Sequence, residues 1–245
     1  MPLVSDTRTA RRWTCWSARR LPWAGAVLRK LLIAAALAGI AAVSAEASPA
    51  PAACSRTDGS RQLVTVNAAR AVTSASLQLW QWRDGCWRHV AGPWTARLGR
   101  SGLSPAKREG DGATPTGTFR IASTVYGIAP NPGVRGGYHR LVCGDWWNED
   151  PGSPTYNTFR HVSCGARPPF GGQSEALWRI SPQYRYFAVI EYNASPVVPG
   201  RGSAIFIHVA VGSTAGCVSL PERRLVRLLR WLRPSDRPLI RIGIS

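Results

Sequence analysis

The chain has 245 residues, enough for one large domain or two small ones. Lys and Arg number 31 against 13 Asp and Glu, a formal charge of +18 at pH 7, while 44% of the residues are hydrophobic. The basic residues are mostly arginines scattered through strand-like segments, without the clustered aromatic platforms that bind nucleic acid, so the charge argues against a nucleic-acid partner.

The N-terminal segment reads as an export signal. Residues 1 to 30 carry seven basic groups, Leu31 to Val43 form an apolar stretch, and Ala45-Glu46-Ala47 has the small-x-small pattern of a signal-peptidase site. Thirteen apolar residues are too few to cross a bilayer as a stable helix. Residues 1–47 are therefore expected to be a cleaved secretory signal, which leaves no integral membrane domain; an uncleaved anchor is the alternative. Arg19-Arg20 hints at twin-arginine export and Cys54 at a lipoprotein, but Leu21-Pro22-Trp23 and Pro51 fit those signals poorly. The leader has seven basic and two acidic residues, so thirteen of the eighteen net positive charges stay with the mature chain, where Lys107 is the sole lysine. Anionic wall polymers or lipid head groups can hold such a chain electrostatically. A solvated basic surface with no specific partner reads equally well.

Residues 48–59, rich in Ala, Pro and Ser, read as a flexible tether. A single domain is expected over 60–245. Leu63-Val64-Thr65-Val66, Leu77 to Trp82 and Trp94 to Leu98 have strand length and strand pattern, and Asp84-Gly85 supplies a hairpin turn between Trp82 and Trp87. Thr118–Ser123, Tyr186–Tyr192, Ala204–Val209 and Leu239–Ile242 are further strand candidates. Between Tyr126 and Gln183 the periodicity fails, and a segment this long inside a compact domain points to a functional or covalently stapled loop.

After signal removal five cysteines remain, an odd number for an oxidising compartment. The simplest local pairing joins Cys54 to Cys86 and Cys143 to Cys164, leaving Cys217 free. His139, Cys143, His161 and Cys164 also have the donor types of a tetrahedral zinc site, but export favours the disulfide. No metal or cofactor is expected.

One helix is strongly signalled. Ser219-Leu220-Pro221-Glu222 has capping-box form, Leu225, Leu228, Leu229 and Leu232 recur on one face, Pro234 ends the pattern, and arginines occupy the other faces. Just upstream lies Ala204 to Ser219, AIFIHVAVGSTAGCVS, a strand that delivers His208 followed by a Gly/Ser/Thr turn and Cys217. A thiol is a poor nucleophile until a base removes its proton, and an imidazole within reach can do so. The pair therefore suggests acyl transfer through a thioester; a buried, inert cysteine beside a core histidine is the competing reading. A helix mouth directly after Cys217 would add unused N–H groups and a favourable dipole. Ser213 and Thr214 are candidates for hydrogen bonds to substrate, and Gly216 and Cys217 N–H groups for an oxyanion site.

The strand ending in His208, the core Thr214-Ala215-Gly216-Cys217 and the upstream run Lys107 to Phe119, KREGDGATPTGTF, together resemble the L,D-transpeptidase catalytic domain. The likeness extends more loosely to Asp145-Trp146-Trp147, Tyr156-Asn157-Thr158 and Tyr184 to Asn193. It implies a mainly β fold, an L,D-transpeptidase-like β-sandwich with one amphipathic helix after the cysteine and a long disulfide-stapled loop region. It also implies a cell-wall enzyme whose partners are peptidoglycan stem peptides. Cys217 would attack the amide after the third residue of a donor stem, release D-Ala, and pass the acyl group to the side-chain amine of a second stem, giving a 3-to-3 cross-link with His208 as base and then acid. This chain departs from the family pattern in Ala215, where a second His is common, in the short gap of eight residues between His208 and Cys217, and in Ser219. Those changes leave the acceptor open between an amine and water, which would make the chain a stem-peptide hydrolase. From another class, Trp80, Trp82, Trp87, Trp94, Trp146 and Trp147 suggest a non-catalytic wall-binding module that stacks on sugars, although large aromatics more often fill β cores.

Overall fold

The computed structural model describes residues 54–55, 58–210 and 212–245. The expected signal at 1–47 and most of the expected tether lie outside the described residues. Among the described residues fourteen strands and one α-helix follow in order: β1 (Gln62–Ala68), β2 (Ser74–Arg83), β3 (Cys86–Arg97), β4 (Leu103–Ser104), β5 (Thr114–Pro115), β6 (Gly117–Gly127), β7 (Gly137–Arg140), β8 (Asp145–Asn148), β9 (Thr158–His161), β10 (Glu175–Ala176), β11 (Phe187–Ile190), β12 (Phe206–Val209), β13 (Val218–Leu220), α1 (Glu222–Trp231) and β14 (Leu239–Ile244). The fold is mainly β, as the composition of strands and turns implies.

Nine strands form the main sheet in the order β11-β12-β13-β3-β2-β1-β14-β6-β7, and β11 also pairs with β6. That last pairing closes the ring of strands through the long β6, and the buried apolar residues among those described gather in three clusters, the largest holding the α1 leucines and a second holding Phe187, Phe206 and Cys217. β1 sits between β2 and the parallel β14, and each of its seven residues is buried. Gln62 and Thr65 are tolerated there because their side chains take partners, Gln62 Nε2 donating to the Trp231 carbonyl and Thr65 Oγ1 accepting the Trp80 indole N–H, whereas the buried Asn67 Nδ2 has no partner among the described residues. The β2–β3 turn has both Asp84 (φ 52°) and Gly85 (φ 75°) in the left-handed region, the requirement of a two-residue hairpin loop.

Helix α1 buries Leu225, Leu228 and Leu229 against the core, and the Arg224 and Arg227 guanidinium groups lie over the Trp94 ring. Its start differs from the capping-box reading. Ser219 belongs to β13, where it pairs with His208 and Arg97, and the N-terminal cap is Pro221 without a side-chain bond. Sheet pairing on both edges of β13 holds Val218–Leu220 extended and takes Ser219 out of capping reach. Cys217 is thus separated from the helix by a strand, and the expected helix-mouth contribution to its chemistry is withdrawn.

The long aperiodic region is more ordered than its pattern suggests. Strands β10, β8 and β9 form a separate three-stranded sheet, and β7 extends the main one. Strands of two to four residues are too short to leave a period in the sequence. Cys143–Cys164 staples this region and Cys54–Cys86 ties the start of the described chain to β3; Cys217 is free and buried. The zinc alternative falls with the first bond. The two histidines instead meet one buried carboxylate, His139 Nε2 at 2.8 Å from Asp145 Oδ2 and His161 Nδ1 at 2.7 Å from Asp145 Oδ1. Trp87, Trp94 and Trp147 are buried, Trp80 and Trp82 pack against the Leu63 cluster, and Trp146 meets Trp178 and Phe170 edge-on. Three of the six are thus taken up by the core, while Trp80, Trp82 and Trp146 stay half-buried.

Candidate active site

His208 and Cys217 stand on the parallel pair β12 and β13 and the turn between them. His208 pairs with Phe187 on one side and Ser219 on the other, and only 6% of its surface is exposed. Its Nδ1 lies 2.8 Å from the Val209 carbonyl oxygen. A carbonyl can only accept, so Nδ1 carries the proton and Nε2 is left as a basic lone pair. Burial lowers the imidazole pKa below its usual 6.5, against an opposing pull from the Val209 carbonyl, so the ring is neutral at pH 7.

The thiol of Cys217 rests on an aromatic cluster with Phe187, Phe206, Tyr184 and Trp147. Its S–H donates to the Ala204 carbonyl at 3.2 Å, and its sulfur accepts the Phe206 N–H at 3.4 Å. No hydrogen bond joins it to His208 among the described residues. The two side chains instead line one cavity of about 330 Å³ with Glu175, Tyr184, Gln183 and the turn residues Gly212 to Ala215. Burial pushes the thiol pKa far up, Glu175 and Glu149 push it further, and the Phe206 N–H and Lys107 pull it back.

The turn before Cys217 is pinned from below. Thr214 N–H bonds the Leu98 carbonyl, Arg100 N–H bonds the Thr214 carbonyl, and the Thr214 hydroxyl donates to the Cys217 carbonyl at 2.7 Å. The Gly216 N–H donates to Thr214 Oγ1 at 3.1 Å, so it is engaged within the turn, whereas the Cys217 N–H has no partner among the described residues. Ser213 is exposed at the cavity rim. Of the residues expected to bind substrate, Ser213 and Thr214 line the cavity with Cys217 and His208, while Thr214 is mainly occupied by the backbone. The upstream Thr-Pro segment reaches the same place: Thr114 is completely buried, accepts the Gly99 N–H, and its hydroxyl lies 3.4 Å from the Cys217 carbonyl. A separation of 103 residues in sequence becomes a contact in space.

Sequence reasoning overlooked a set of acidic and phenolic groups. Glu175 lines both the main cavity and a second one of about 80 Å³ behind Cys217, which Glu109, Glu149 and Lys107 also line. Burial raises Glu149 to about 9, with Glu175 and Glu109 adding to it, and raises Glu175 to about 7, against the hydrogen bond from Tyr184. The Tyr184 hydroxyl donates to Glu175, and its ring stands edge-on to His208 at 5.8 Å. Glu109 accepts from Ser203 at 2.6 Å and from Tyr156. Glu109 and Lys107 lie inside the segment that signalled the family; Glu175, an isolated charge in an aperiodic stretch, left no signal at all.

A closed β sheet carrying a free cysteine and a tautomer-fixed histidine around one cavity defines the class: a mainly β domain with a candidate Cys/His site. The family model for the L,D-transpeptidase catalytic domain (YkuD) matches residues 62–240, close to three quarters of the chain, and the chain belongs to that family. Among solved structures it is similar to the helical cell shape determining protein Pgp2 from Campylobacter jejuni, at 14% identity and a TM-score of 0.40, with 79% of this chain and 51% of that one covered. The chain therefore spans about half the length of that protein. The comparison with curated proteins gave no match.

Proposed function

We propose that this chain is an exported L,D-transpeptidase of the cell wall in which Cys217 is the nucleophile and His208 the base. The observation that carries the reading is the shared cavity: Cys217, a free cysteine, and His208, a neutral imidazole whose Nδ1 is held by the Val209 carbonyl, line the same space inside a domain of this family. The thiol proton passes to His208 Nε2, the sulfur adds to the carbonyl after the third residue of a donor stem peptide, and the oxyanion meets the Cys217 N–H. Collapse of the adduct breaks the amide, His208 returns the proton to the departing D-Ala amine, and a thioester remains. The side-chain amine of an acceptor stem then adds, gives up its proton through His208, and releases the thiol with a 3-to-3 cross-link.

Two disulfides in the described domain support an oxidising, exported setting. The reading is tested by incubating the protein with a carbapenem, the β-lactam class that the family resemblance implies as an acylating agent, and measuring intact mass. A covalent adduct that is lost in Cys217→Ala supports the acyl-enzyme; a wild-type protein that stays unmodified when folded and reduced sinks it. Disaccharide tetrapeptides then assign the acceptor, since cross-linked dimer means an amine and tripeptide means water.

A further inference from the structure

Lys107 is 6% exposed, the least expected place for the mature chain's sole lysine. Its stem passes beside Gly202, where a Cβ would stand 3.0 Å from the lysine Cε, and its ammonium ends beside Gly216, where a Cβ would stand 3.3 Å from Nζ. Two glycines thus leave the channel through which the side chain reaches the Cys217 turn. The ammonium donates to Asp111 Oδ1 at 2.8 Å and to the Arg108 carbonyl at 3.2 Å, and an ammonium has three N–H groups. Lys107 lines the cavity behind Cys217 together with Arg100, Glu109, Glu149 and Glu175.

A staple for the turn from Arg108 to Ala113 does not require this arrangement. Asp111 already accepts the Arg108 N–H at 2.7 Å and the Ala113 N–H at 2.9 Å, which closes that turn without the lysine. Burying an ammonium costs solvation that an apolar side chain of the same shape would not incur. Around Cys217 the carboxyls of Glu175 and Glu149 disfavour the thiolate, and Lys107 is the cation that opposes them. A fixed charge in a water-poor site acts most strongly where negative charge develops.

We propose that Lys107 is a positioning residue for the Cys217 chemistry, a prepositioned positive charge threaded between Gly202 and Gly216 that stabilises the sulfur anion and the carbonyl oxyanion formed when that sulfur adds to the substrate. This rests on the reading of Cys217 as nucleophile. It also gives the Lys-Arg-Glu-Gly-Asp-Gly stretch a task besides its turn: Asp111 holds the ammonium by its side chain while the third N–H is left for the cavity.

The test sets shape against charge. Lys107→Met keeps the unbranched stem and removes the charge, whereas Lys107→Arg keeps the charge in a bulkier head. Packing alone ranks Met above Arg; electrostatics ranks Arg above Met. Carbapenem acylation at pH 7.5 is expected to slow about tenfold in Lys107→Met, the equivalent of one pK unit on the thiol, and to stay within about threefold of wild type in Lys107→Arg. The double variant Lys107→Met/Asp111→Asn leaves no unpaired carboxylate and is expected to be as slow as the single Met variant. Alkylation of Cys217 by iodoacetamide, read by intact mass, is run on the same proteins and should show the same order. A Met variant as fast as the Arg variant, or a double variant restored to the wild-type rate, overturns the proposal. If wild type forms no carbapenem adduct, the nucleophile reading fails, while the alkylation series still reports whether Lys107 governs the thiol.

Discussion

Replacing Asn157 tests how the site is held. This residue is 8% exposed and joins three segments: its Oδ1 accepts the Trp147 indole N–H at 3.0 Å and the Ala204 N–H at 3.1 Å, and its Nδ2 donates to the carbonyls of Tyr192 at 3.1 Å and Asn193 at 2.9 Å. Its own φ of 58° and the φ of 51° at Ala204 are both left-handed, a conformation that tertiary contacts must enforce on a residue with a Cβ. Asn157→Gly keeps that backbone freedom but leaves two buried donors unsatisfied, at about 1–3 kcal/mol each. A loss of about 3 kcal/mol is expected, lowering the melting temperature by about 6–12 °C for a domain of this size. Asn157→Ala should lose about 1 kcal/mol more, because alanine resists the left-handed region. Urea denaturation of both variants gives the two numbers. Since the Ala204 carbonyl holds the thiol proton, iodoacetamide should also alkylate Cys217 faster in both variants under native conditions. Losses below 1 kcal/mol in both, or an alanine variant as stable as the glycine one, would refute the account.

Two further outcomes depend on pH. Burial alone would raise the Asp145 pKa, but the Val142 N–H and the two histidines outweigh it and hold the carboxyl below its usual 3.8. A carboxylate depressed in the folded state gives stability that is present above the unfolded value and lost as pH falls through the folded one. Melting temperatures of wild type should thus fall more steeply below about pH 4 than those of Asp145→Asn; parallel curves would show that the clamp contributes nothing. For His208 the sign is set by its lowered pKa: the neutral, base-competent ring persists as pH falls below 6.5. The acid limb of the acylation rate should accordingly lie below pH 6.5, and a midpoint above 7 would show that another group controls it.

Much of this was legible in the sequence, and what was not has physical causes. Asp84-Gly85 announces its hairpin because the turn demands positive φ at both positions, and few other dipeptides supply it. The disulfides follow from an odd cysteine count and short separations, and the leucine stripe of α1 from its period. The start of α1 was misread because Ser219 satisfies a local capping pattern, while its pairing with Arg97 depends on a strand more than a hundred residues away. Local sequence cannot weigh a cap against a ladder bond to a distant strand. Glu175 and Glu149 were invisible for a related reason: their character comes from burial beside one another and beside Cys217, and neither carries a motif. The Thr-Pro-Thr-Gly-Thr-Phe segment signalled the family, yet the contact between Thr114 and Cys217 that accounts for its presence near the site appears only in three dimensions.

The resting geometry of Cys217 constrains any chemistry assigned to it. Its S–H points to the Ala204 carbonyl, and that acceptor cannot take the proton away. On the proposed reading, turnover must therefore begin with a rotation that carries the sulfur from Ala204 and Phe206 into the cavity where His208 waits. Each end of that rotation is anchored: Ala204 by Asn157, and His208 by the Val209 carbonyl and the Tyr184 ring. The barrier then lies in giving up two weak sulfur hydrogen bonds, a cost that substrate contacts in the cavity can offset. A thiol kept protonated until substrate arrives is also one that resists oxidation, because the thiolate is the reactive form. The same burial that raises the thiol pKa thus keeps a free cysteine intact in a domain with two disulfides, and a charge such as that of Lys107 is what a site built this way requires once the proton leaves.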